Sequence, residues 1–156
     1  MSDKVSLSCT TTAGNGILTL RLEAINRSPD PVHVLASARL PYVLFENGRA
    51  VVLYGVNDPD PDLDYYGIEI PLSRPLAPSE HLVAEATIVP LVPHHHYEAK
   101  QAPVALPAEL EVICKLAYGD TPIDEARRRA MAISGLLAWQ HWVTGPPLHV
   151  KTGVTH

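Results

Sequence analysis

The sequence predicts a mainly β fold: an antiparallel β-sandwich of about seven to eight strands with one α-helix near its C-terminal end. Three observations carry that prediction. Apolar and polar residues alternate through most of the first three-quarters of the chain, which is the period of a half-buried strand. The alternating stretches are short and are separated by turn residues, with no helical pattern between them, which favours antiparallel sheets over a parallel one. After residue 121 the apolar spacing becomes helical. A length of 156 residues with 46% hydrophobic content suits one domain, and 15 prolines fit a chain rich in strand ends and loops.

Val5, Leu7 and Cys9 alternate with polar neighbours, and Gly14-Asn15-Gly16 supplies a turn. Next, Leu18, Leu20, Leu22 and Ala24 point one way while Thr19, Arg21 and Glu23 point the other. The cluster Asn26-Arg27-Ser28-Pro29-Asp30-Pro31 breaks this strand, and Val32, Val34 and Ala36 form a third. Tyr42 to Phe45 and Ala50 to Tyr54 flank Asn47-Gly48, a pair that accepts positive φ and so marks a hairpin turn. Alternation returns at Tyr66, Ile68 and Ile70, at Leu82, Ala84, Ala86 and Ile88, and at Leu110, Val112, Cys114 and Leu116.

For the helix, Thr121 reads as N-cap, Pro122 as the first helical residue and Asp124 as the acid of the first turn. Ala126, Ala130, Ile133 and Leu137 recur at helical spacing, Met131, Leu136 and Trp142 widen the stripe, and Gly145-Pro146-Pro147 stops it. The expected layout is a sandwich over 1–120, a helix packed on it within 121–144 and a tail over 145–156.

Two motifs carry a family resemblance. Leu20-Arg21-Leu22-Glu23-Ala24-Ile25-Asn26, followed by Pro31-Val32-His33-Val34, is similar to an alternating strand that ends in Asn before Pro-Val opens the next strand. Leu76-Ala77-Pro78-Ser79-Glu80 resembles a Leu-x-Pro-Gly-Glu lead-in, with Ser79 where Gly is usual. Both occur in bacterial immunoglobulin-like modules, including intracellular proteinase inhibitors and sandwich domains attached to transglutaminases. The resemblance implies an immunoglobulin-like sandwich and, more weakly, protease inhibition. It encodes strand ends and carries over no inhibitory loop.

A net charge of −5, with only 12 Lys and Arg, argues against nucleic acid as the main partner. Arg127, Arg128 and Arg129 would fan around a helix and read as a solvated face. No secretory leader and no apolar run of ~20 residues is present, so the expected home is cytoplasmic and no membrane partner is expected. Cys9 and Cys114 sit near opposite ends of the pattern and read as buried free thiols, with a disulfide as the alternative.

Chemistry-bearing clusters are few. In His94-His95-His96, His94 and His96 share one side of an extended chain and could hold zinc or copper with His81 or His33; the plain reading is a solvated loop. Asp58, Asp60 and Asp62 present carboxylates at every second position, as calcium loops do. An EF-hand glycine and a closing Glu are missing, since Ile68 stands at the twelfth place. No Gly-x-Ser-x-Gly, phosphate-cradling loop or His-Glu-x-x-His joins the other candidates, and no catalytic residues are assigned. Trp139 and Trp142, with Ile133 and Leu137, could cover the domain's own core or form an interface. The sequence therefore predicts a non-catalytic binding module for a protein partner or a second copy of itself, a homodimer included. A metal-binding protein is the first alternative and a protease inhibitor the second.

Overall fold

The period-two pattern of the second strand turns Leu18, Leu20, Leu22 and Ala24 wholly inward and leaves Arg21 in water. The computed structural model describes residues 4–14, 17–36, 41–46, 49–56, 70–88 and 108–151. Their strands are β1 (Val5–Gly14), β2 (Ile17–Asn26), β3 (Val32–Ala36), β4 (Tyr42–Glu46), β5 (Arg49–Tyr54), β6 (Leu72–Leu76), β7 (His81–Ile88), β8 (Glu109–Gly119), β9 (His141–Thr144) and β10 (Leu148–Lys151). Two short helices, α1 (Glu125–Ala130) and α2 (Ile133–Trp139), lie between β8 and β9.

One sheet is β1-β2-β7, antiparallel throughout; the other runs β4-β5-β8-β3-β6, with β9 and β10 also on β8. Inward residues of both sheets form one buried cluster, from Val5, Leu20 and Leu82 on the first to Val34, Val52, Cys114 and Leu116 on the second. The mainly β, two-sheet expectation therefore holds. The strands flanking both expected turns pair with each other: Gly14 with Ile17, and Glu46 with Arg49. The strand expected around Tyr66 and Ile68 lies outside the described residues. Ile70, its last member, is buried.

Strand β8 organises the second sheet. Glu111 pairs with Arg49 of β5 on one edge and His149 of β10 on the other; Tyr118 pairs likewise with Val34 of β3 and His141 of β9. Most of β8 is thus paired on both edges, which satisfies much of the backbone of its most buried segment. The β5–β8 pairing is parallel, a departure from the all-antiparallel expectation. Strand β6 was not anticipated, because Pro75 interrupts it; the strand sits at the sheet's end, where proline is tolerated.

The single helix expected over 122–143 is corrected to two helices and a strand. Asp124, not Thr121, caps α1: its Oδ1 accepts from Arg127 N at 2.8 Å. Met131 and Ala132 are extended, so the helical stripe is cut after Ala130, and α1 buries none of its residues. The chain then leaves the helix because Trp142, Val143 and Thr144, good strand formers, complete the edge of β8. The expected tail supplies β10 for the same reason.

The motif residues behind the resemblance stitch two turns together. Buried Asn26 donates from Nδ2 to the carbonyls of Asp30 and Leu76, both at 2.9 Å, and its Oδ1 accepts from Ser28 N at 2.9 Å. Its backbone accepts from Ser79 N at 2.8 Å. Residues Ala77 to Glu80 form a turn closed by Glu80 N to Ala77 O at 2.9 Å, with Pro78 at its second position and Ser79 at its third. Ser79 has φ 67°, the left-handed region a type II turn demands there. The position where Gly is usual in the resembled modules is the one that needs it most.

Candidate functional site

The outer face of the second sheet is where aromatic chemistry collects. Gly119 ends β8 without a side chain, and the Trp139 ring lies directly on it; a Cβ there would collide with the indole. Trp139 Nε1 donates to Thr121 O at 2.8 Å, so this buried ring is satisfied as well as packed. With Leu35, Val56, Ile70, Ile123 and Leu136 it forms a second, smaller core, against which Leu137 packs. Gln140 follows and is also buried. Its amide accepts from Val56 N and donates to Val56 O, each at 2.8 Å, binding the chain after β5 as a strand would.

Trp142 belongs to the same surface but not to the same role. It lies on β9 opposite Ala117, and its ring reaches Gly55, where an added Cβ would come within 2.6 Å of Cη2. One side of the ring therefore has a floor of Ala117 and Gly55, while 37% of the residue stays exposed. Val83 is the other large apolar side chain exposed among the described residues; it stands singly on the polar face of β7. Of the four residues expected at an interface, Trp142 reaches the surface, Trp139 turns inward, Leu137 is half-buried and Ile133 is located by its backbone at the start of α2.

A charged cluster sits beside this surface. Asp120 Oδ1 is 2.8 Å from Lys4 Nζ, and its Oδ2 is 3.2 Å from His141 Nε2. The Lys4 hydrogen bond, aided by the Lys4 and His141 charges, holds the Asp120 carboxyl below its ordinary range, and the same bond raises Lys4. The His141 ring also stacks obliquely on Tyr118, centroids 5.6 Å apart. These contacts tie the start of β1 to the end of β8.

Of the proposed metal ligands, His81 lies on β7 with Nδ1 3.3 Å from Glu23 Oε1, while His94 and His96 lie outside the described residues. Asp58, Asp60 and Asp62 lie outside them too. His33 has a buried Nδ1 without a hydrogen-bond partner. Among the described residues no group of three His, Cys, Asp or Glu is placed to hold a metal, and no helix is long and apolar enough to cross a membrane. Cys9 and Cys114 are free thiols, the first half-buried on β1 and the second buried on β8. Sequence reasoning missed Gln140 and the Asp120 cluster, whose partners are remote in the chain and leave no local pattern. Comparison with models of protein families, with curated proteins and with solved structures finds no match.

Proposed function

We propose that the chain is a non-catalytic binding module of immunoglobulin-like type whose contact surface centres on Trp142, with a second copy of the chain as the occupant. The observation that carries this reading is the unequal use of two tryptophans. Trp139 is spent on the fold, whereas Trp142 is held on a strand with a solid floor beneath one side and water on the other. A rigid, partly exposed indole is a common anchor of protein interfaces, since it brings large apolar area at little entropic cost. Two copies meeting about a two-fold axis would place the same patch on both sides of the contact. Protease inhibition rests on the motif resemblance alone.

Sedimentation velocity over a concentration series tests the reading. The wild-type mass rises above 17.0 kDa with concentration, and Trp142→Ala returns it to the monomer while leaving the unfolding curve nearly unchanged. A wild-type chain that stays monomeric across the series refutes self-association through this surface. Elemental analysis of untagged protein separates the metal-binding alternative, which requires a stoichiometric metal that His94→Ala and His96→Ala remove.

A further inference from the structure

Strand β8 is interrupted on one edge at a single place. Thr144 pairs with Lys115 and Leu148 with Val112, so Gly145, Pro146 and Pro147 lie opposite only Ile113 and Cys114. This is a one-residue bulge, pinned by Gly145 N to Cys114 O at 2.9 Å. The first sheet closes on the second here: a Cβ on Gly145 would lie 3.3 Å from the Leu7 carbonyl oxygen of β1. Two residues further along β1, Cys9 packs against the core cluster that contains Cys114, and each thiol shifts the ionisation of the other. The two sulfurs differ in access, since Cys9 is half-buried and Cys114 fully buried.

We propose that Cys9 and Cys114 form a reactive thiol pair that takes a low-molecular-weight disulfide as substrate and stores the oxidation as a bond between the two sheets. The Cys9 thiolate attacks one sulfur of the small disulfide, whose S–S bond breaks as a mixed disulfide forms on Cys9. The departing thiolate takes a proton from water. The Cys114 sulfur then attacks the Cys9 sulfur, the mixed disulfide breaks, and the Cys114 proton leaves with the second small thiol. Two protein thiols are oxidised and one small disulfide is reduced to two thiols. The order of attack follows from access, and the ionisation of the two thiols agrees with it. The neighbouring Cys114 thiol lowers the Cys9 pKa, whereas Cys9 and burial together raise that of Cys114.

The site is independent of the Trp142 surface, and its test is oxidation of the full chain with glutathione disulfide, followed by intact mass and thiol titration. Wild type should lose two hydrogens, both titratable thiols and no monomeric mobility, and should retain no glutathione. Cys114→Ser, with Cys114→Ala as a second variant should the first not fold, should keep one glutathione on Cys9. Cys9→Ser should react at least about tenfold more slowly, because the remaining thiol is buried. Stable glutathionylation of folded wild type, a disulfide-linked dimer, or equal reactivity of Cys9→Ser would each overturn the proposal.

Discussion

The outward faces of the two sheets follow opposite plans. On the first, Ser6, Ser8, Thr10 and Thr12 of β1 and His81, Glu85 and Thr87 of β7 stand in water. On the second, Leu35, Ala117 and Gly119 are buried, and Trp139 covers the small end of β8. A polar face needs no cover; a face of glycine, alanine and leucine does. The cover comes from the segment after β8, and it runs out at Trp142.

The sharpest way to break this contrast is to empty the roof. Trp139→Ala should cost about 3–5 kcal/mol by urea unfolding, from lost burial and a lost hydrogen bond, whereas Trp142→Ala should cost about 1 kcal/mol or less. Gly119→Ala should cost about 1–3 kcal/mol, because Trp139 cannot move without leaving Thr121. Equal losses at the two tryptophans would remove the distinction between roof and margin.

Away from the roof, Asn26→Ala should cost about 2–3 kcal/mol in the same assay, since it strips partners from the Leu76 and Asp30 carbonyls and from Ser28 N. Ser79→Gly acts in the other direction: relief of the left-handed conformation is worth ~1–2 kcal/mol, and the freer unfolded chain returns part of it, leaving a gain of up to ~1 kcal/mol. The smallest effect is electrostatic. Asp120 has a lowered folded-state pKa, so its contribution is complete above the ordinary value of 3.8 and is lost as pH falls through the lower folded value. Asp120→Asn should therefore flatten the acid limb of the stability curve below about pH 4. Because Asp120 and Lys4 are half exposed, solvent screening keeps the change slight.

The bare sheet was legible in the sequence and the roofed one only in part. Period two in β1, β2 and β7 reports a face in water and a face in the core, and every residue speaks for itself. Outer positions of β8 such as Ala117 and Gly119 are small because an indole lies on them, and nothing near them in sequence announces it. The stripe Ala126, Ala130, Ile133 and Leu137 does spell a helix. Its continuation was overruled by the empty edge of β8, a long-range demand on backbone hydrogen bonds that propensity does not register. Likewise, Trp139 and Trp142 look alike at three-residue spacing and differ only because a helix ends between them.

The most direct test follows each indole separately. Acrylamide quenching of Trp142→Phe, which keeps only Trp139, should show a shielded indole at every concentration. Trp139→Phe should show an accessible one in dilute solution that becomes shielded as the mass climbs from 17.0 kDa toward the dimer. If Trp142 is quenched equally at all concentrations, or Trp139 as readily as Trp142, the division of labour between the two tryptophans is wrong.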